Sequence, residues 1–301
     1  MTERSDAVWI AYAQVAASFV LVGISVPLAK LMVRDLPIFL ACGVRFVAAV
    51  SVALPLLWLR GETVFGIASR DHRLLFAQAL PGVFLFPVLL FEGLKATNGT
   101  AAGVVLGTMP AVVAVLAVVL LGERPGVRVW LGIALAAAAM ILLELQNAST
   151  ETSAVSWGLV LVMTAVVAEA FYTVLARGLG GRVSPVAICA WLSLFGLIAF
   201  APFALVDAAR IDLASVSWTS WASAVYYGVF PSVASFLLFY SAIRRIEAAK
   251  AGIFTSLMPL TAIVLSIAIL GEELSTADAI GALLVFAAIA LIVIPFRMRK
   301  I

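Results

Sequence analysis

The sequence predicts an all-α integral membrane protein: ten transmembrane helices in two inverted five-helix repeats, with the N- and C-termini cytoplasmic. Three observations predict it. Hydrophobic residues make up 64% of the 301 and charged residues only 12%, with a mean hydropathy of +1.18, whereas about a quarter of a soluble domain is charged. The apolar residues fall into stretches of about 20, the length that crosses a hydrocarbon core. Finally, Met109-Pro110 and Gly122-Glu123 return 149 residues later as Met258-Pro259 and Gly271-Glu272. Laid over each other without a gap, residues 102–142 and 251–291 are identical at fourteen of 41 positions, glycine, proline and glutamate among them. Apolar composition alone does not place those three in register, so the chain is a duplication.

Cutting at charges and Gly/Pro clusters gives the spans in order. Span 1 covers 8–32; its start holds one arginine and two acids, and Gln14 and Ser18 break its apolar run, so it reads as a retained helix rather than a signal peptide. Span 2 (37–59) stops before Arg60-Gly61, and span 3 (74–94) lies between Arg70-Asp71-His72-Arg73 and Lys95. Span 4 (99–121) ends at Gly122 and span 9 (250–270) at Gly271, where a residue tolerant of positive φ is favoured. Between them come span 5 (128–145), span 6 (157–178), span 7 (185–206) and span 8 (220–243). Span 10 (277–296) is opened by Ser275-Thr-Ala-Asp278, a capping box. The glutamate of each Gly-Glu pair then reads as a turn and helix-end residue.

Loop charge sets direction. Fourteen Lys and Arg fall in the loops on the side of the termini, against four (Lys30, Arg34, Lys95, Arg210) on the other; Arg45 lies within span 2. Five spans per half is an odd number, so residues 151–301 enter the membrane opposite to residues 1–150. Alternating access follows from such an inverted repeat, because exchanging the conformations of the halves turns an inward-open cavity outward.

The residues that carry this pattern resemble the drug/metabolite transporter superfamily, specifically its ten-helix EamA-type members. Matching features are Pro110 and Pro259 inside the fourth helix of each half, Gly-Glu at its end, Pro37 opening span 2 with Arg45-Phe46 inside it, and the ends of spans 3 and 8. The resemblance implies two EamA-like repeats, 1–150 and 151–301, and an exporter of small molecules; bacterial members of this appearance look like amino-acid exporters, the aromatic-amino-acid type among them. Span 1 departs from the pattern, with Val22-Gly23-Ile24 where a tryptophan is often seen, while span 6 offers Phe171-Tyr172.

Candidate substrate-binding residues are polar or aromatic groups inside spans. A charge at the bilayer centre costs at least roughly 2.5–3.5 kcal/mol, and of sixteen acids only Glu169 lies near the middle of a span. It is expected to meet a substrate ammonium or carry a proton, with Tyr172 and Thr173 on the same face. Gln14, Ser18, Gln78, Tyr227, Ser235 and Trp191 complete the set, placing the cavity among spans 1, 3, 4, 6, 8 and 9. Singly, such hydroxyls and amides read as packing glue worth about 0.6 kcal/mol. Arg45 is expected to be a structural charge, tied to helix-end carbonyls or to Glu92 or Glu144, with a substrate-carboxylate role as the alternative. Pro27, Pro110 and Pro259, with Gly103 and Gly252, are the expected gating and hinge positions.

Other chemistry finds little support. One histidine, His72, and two separated cysteines, Cys42 and Cys189, give no metal centre. No P-loop is present, so transport is secondary or facilitative, and no cofactor is expected. Scattered carboxylates argue against a membrane-embedded enzyme, and the scarcity of buried cations argues against nucleotide sugars or sugar phosphates. The expected function is export of small amphipathic metabolites, amino acids first and aromatic or other apolar ones among them, across the cytoplasmic (inner) membrane. A multidrug or cationic-compound exporter is the alternative. The expected partners are the substrate and the lipid bilayer, with no nucleic acid, and a monomer meets these needs.

Overall fold

A computed structural model describes residues 2–122, 126–150, 157–176, 179, 182–243, 254 and 257–293. Among these residues the regular structure is helical, and the long elements are ten. They are α1 (Thr2–Asp35), α2 (Ile38–Leu59), α3 (Ser69–Ala96), α4 (Gly99–Leu106 and Met109–Leu121) and α5 (Val127–Thr150), followed by α6 (Trp157–Ala176), α7 (Pro185–Ala208), α8 (Trp218–Ile243, in three segments), α9 (Leu257–Leu270) and α10 (Thr276–Val293). Seven stretches within them are long and apolar enough to cross a membrane on their own. The chain is a multi-pass membrane protein.

Helix ends obey the local chemistry. Gly122 (φ +66°) and Gly271 (φ +67°) stop α4 and α9 in the left-handed region. Ser275 and Asp278 exchange hydrogen bonds at the start of α10, Asp278 N–H donating to Ser275 Oγ at 3.0 Å and Ser275 N–H to Asp278 Oδ2 at 3.2 Å. α3 starts five residues earlier than the apolar run, because Ala68 O accepts from the N–H groups of Asp71 and His72 and lets the charged turn join the helix.

The two halves share finer irregularities. Leu80–Leu85 within α3 and Phe230–Ser235 within α8 are both π turns, with Pro81 and Pro231 as second residues. Proline has no N–H for the ladder, and the turn widens around it. The 3-10 turns Val64–Gly66 and Leu213–Ser215 precede α3 and α8 in the same way. α4 breaks at Gly107-Thr108, and Pro110 opens its second piece, whereas Pro27 and Pro259 sit inside α1 and α9.

Packing repeats with the same symmetry. α2 lies on α7, α5 on α10 and α4 on α9, each pair made of equivalent helices; α3 packs on α6 as α8 packs on α1, and α1 on α9 as α6 on α4. With lipid outside, helix association rests on close contact rather than on escape from water, and small residues supply it. A Cβ built on Gly43 would sit 2.7 Å from Ala204, one on Gly93 2.7 Å from Val162, and one on Gly23 2.6 Å from Met258 O. α5 and α10 pack on each other and on α4, leaving the other helices to enclose the interior. Of the expected hinges, Gly103 lies against Ala262 and Ile263, and Pro259 against Gly107; Gly252 lies outside the described residues.

Candidate functional site

Glu169 sits halfway along α6. The residue is half-buried. Thr173 Oγ1 donates to its backbone carbonyl at 2.9 Å, so that hydroxyl is spent on the helix. Tyr172, one turn on, lies against the π turn of α3. A Cβ on Gly82 would come within 2.6 Å of the Tyr172 Cβ and ring, so the ring holds its place because residue 82 has no side chain.

Across the interior, α2 brings Arg45 to the other π turn. Its Nε donates to Ser232 Oγ at 3.2 Å, and Ser232 Oγ donates to Tyr227 O at 3.0 Å, five residues back. The guanidinium lies 4.5 Å from the Tyr227 ring centroid and 4.8 Å from that of Phe46. Gly228 makes the approach of α8 to α2 achievable, since a Cβ there would stand 2.1 Å from Arg45 O. Arg45 thus meets Ser232 rather than Glu92, which pairs with Lys95 at 3.5 Å; the Glu144 side chain lies outside the described ones. Nη1 of Arg45 is buried with no hydrogen-bond partner. Arg45 and Glu169 are within electrostatic reach of each other, and both act on Tyr227.

The remaining predicted residues divide. Ser18 and Ser235 face each other in a reciprocal tie: each hydroxyl donates to the other's carbonyl, at 3.0 and 3.1 Å. Their hydrogen-bonding capacity joins α1 to α8. Gln78 is fully buried on α3, and neither of its amide atoms has a partner; Gln14 Oε1 is likewise unpaired. Trp191 stacks on Phe195 at 5.8 Å and meets the His72 ring edge-on at 6.2 Å. Of the predicted residues the structure therefore brings Arg45 and Tyr227 together, with Glu169 within electrostatic reach of Arg45. Among the described residues no group of three or more His, Cys, Asp or Glu side chains comes together to hold a metal.

Sequence reasoning missed the cross-links at the two faces. At the end where α1 finishes, Glu272 accepts from Gly99 N–H (2.7 Å), Thr100 N–H (2.8 Å), Thr100 Oγ1 (2.8 Å) and Lys30 Nζ (3.0 Å). Burial alone would raise this carboxyl, but those donors hold it below the usual carboxylate range. Nearby, Asp35 accepts from Ser217 and Ser220. At the opposite end Arg182 grips Asp71, with Nη2 at 2.6 Å from Oδ1, and Ser184 donates to Glu62. Each of these contacts joins one half to the other. The turn role expected of Glu272 omits its reach to α4, which has no signature in the residues around it.

The chain matches the EamA-like transporter family twice, over residues 9–145 and 156–294. It is 36% identical over 273 residues to an uncharacterized transporter of Bacillus subtilis, YetK, covering 90% of this chain and 83% of the relative. It is 27% identical over 254 residues to protein PagO of Salmonella typhimurium, covering 82% and 81%. One solved crystal structure of a protein superposes with a TM-score of 0.65 at 20% identity, covering 95% of this chain and 96% of the other. At that identity the likeness speaks to the fold alone.

Proposed function

Because the chain belongs to the EamA-like transporter family, a branch of the drug/metabolite transporters, we propose that it exports small amphipathic metabolites across the cytoplasmic (inner) membrane, with apolar and aromatic amino acids as the foremost cargo. The observation that carries this is Glu169: a half-buried carboxyl inside the α6 span, one helical turn from Tyr172. An acid there serves a cationic nitrogen, and aromatic rings serve an apolar side chain.

Alternating access supplies the mechanism. The equivalent helices of the two halves cross the layer in opposite senses, and the cross-links lie at its two ends: Lys30–Glu272 and Asp35–Ser217 at one, Asp71–Arg182 and Glu62–Ser184 at the other. Opening one set while the other holds exposes the mid-depth residues to one side at a time. The break at Gly107-Thr108 and the two π turns place backbone irregularities where helices must bend.

The test is reconstitution of the purified protein in liposomes, with a panel of amino acids and cationic drugs and with or without a pH gradient. Movement of apolar amino acids, abolished or altered by E169Q in a correctly folded protein, supports the reading. Movement of cationic drugs alone would replace it with a multidrug exporter, and unchanged transport by E169Q would remove Glu169 from the mechanism.

A further inference from the structure

We propose that Arg45 receives the carboxylate of the transported molecule while Glu169 receives its cationic nitrogen, so that the cargo is a zwitterion and not a simple cation. This rests on the transport reading above and specifies which end of the cargo each half of the protein holds.

Buried cations in a membrane interior are costly and are normally paired. A guanidinium carries five N–H donors in a fixed fork. Arg45 is only 9% exposed, yet among the described residues it has no carboxylate within ion-pair distance, Nε donates to a neutral hydroxyl, and Nη1 is buried without a partner. The rings of Tyr227 and Phe46 lie close to the guanidinium plane. They compensate part of its charge and leave the fork short of the acceptor that a guanidinium takes best, a carboxylate.

The second observation is the placement of the only mid-span acid. The Arg45 charge reaches Glu169, yet among the described residues the two form no ion pair. Among the described residues α2 and α6 form no packed interface; each packs on other helices, α2 chiefly on α7 and α8, α6 on α3 and α4. Backbone contacts hold both sides in place, with Gly228 against Arg45 O and Gly82 against Tyr172. An acid and a base that influence each other without pairing are each left short of a counter-charge among the described residues. A molecule with a carboxylate and an ammonium on one carbon satisfies both at once, whereas an amine alone leaves Arg45 unpaired.

The experiment uses the full-length protein in liposomes. Labelled phenylalanine is the counterflow probe, and unlabelled phenylalanine, phenethylamine and N-acetylphenylalanine are the competitors. Wild-type protein should prefer phenylalanine over phenethylamine by at least about tenfold, the loss expected when a charge-assisted hydrogen bond is removed. R45Q should abolish that preference, letting the amine compete as well as the amino acid, and R45K should retain part of it. E169Q should instead weaken both phenylalanine and the amine relative to N-acetylphenylalanine.

Monodisperse gel filtration establishes that each variant is folded, and the wild-type preference needs no variant. Equal competition by the amine in wild-type protein overturns the assignment, as does an unaltered preference in folded R45Q and R45K. Failure of wild-type protein to move any apolar amino acid overturns the transport reading itself and takes this assignment with it.

Discussion

Lys30, at the end of α1, and Glu272, just past the end of α9, meet at 3.0 Å and close one end of the interface between the two halves. Glu272 also caps the first turn of α4 through Gly99 and Thr100, so one carboxylate ties three helices. E272Q should lower the stability of the detergent-solubilised protein by about 1.5–3 kcal/mol, the worth of hydrogen bonds to a charged group, read as a fall in melting temperature. The sign with pH follows from its lowered pKa. Its stabilisation is complete above the unfolded value, near 4.5, and fades as pH falls below that value through the folded one. Wild-type protein should therefore lose melting temperature on acidification more steeply than E272Q, and parallel curves would deny Glu272 this role.

Cys189 is a native reporter for which face is open. Its thiol is buried and donates to Ser232 O at 3.2 Å, next to the Arg45 contact. If the cross-links at the two ends act as latches, E272Q should speed labelling of Cys189 by a membrane-impermeant maleimide added outside. D71N, which removes the Asp71–Arg182 ion pair, should speed labelling from the cytoplasmic side. Modified protein is counted by mass spectrometry in C42A, which leaves one cysteine. Equal acceleration from both sides by either variant would mean general loosening rather than gating.

What could be read from the sequence was whatever repeats or stands out by chemistry. The 149-residue echo, the spans, the glycine stops at 122 and 271 and the Ser275–Asp278 box all rest on local pattern, and the fold reproduces them. Glu169 is conspicuous because no other acid lies mid-span. Pairings between distant helices had no such signal. Lys30 and Glu272 each resemble an ordinary loop charge, 242 residues apart, and nothing near Gly228 announces that Arg45 O will lie against it. The π turns were within reach, since Pro81 and Pro231 occupy the same place in both halves, but a proline inside a span reads equally well as a kink.

Two glycines beside the candidate site should respond differently to one methyl group. In G228A the new Cβ meets the backbone oxygen of Arg45 at 2.1 Å, so α2 and α8 must separate. Overpacking of this kind costs about 1–3 kcal/mol, and transport should fall together with stability. In G82A the clash is with the Tyr172 Cβ and ring at 2.6 Å. The ring can turn but the Cβ cannot, so α3 and α6 must part, though by less than the 2.1 Å contact demands of α2 and α8. The melting temperature of G82A should change less, while transport of apolar amino acids falls because the ring has moved. Equal melting-temperature losses in G82A and G228A would show that α6 yields no more readily at Tyr172 than α2 does at Arg45.

Ser18 and Ser235 offer the clearest separation of glue from site. Both are buried, and their hydroxyls are engaged with each other and with each other's carbonyl. Removing one hydroxyl leaves the partner serine without its reciprocal bond, whereas removing both leaves only carbonyls already held in the helices. S18A and S235A should each cost about 0.6 kcal/mol, the scale of interhelical hydrogen bonds in membranes. The double variant should cost less than their sum, a positive coupling in a double-mutant cycle of melting or denaturant midpoints. Transport selectivity should stay unchanged in all three if the pair only binds α1 to α8. A shift in amino-acid preference in either single variant, without a matching loss of stability, would instead place that serine against the cargo. That outcome would require the α1–α8 tie to open during the transport cycle, because in the closed pair neither hydroxyl is free to receive a substrate.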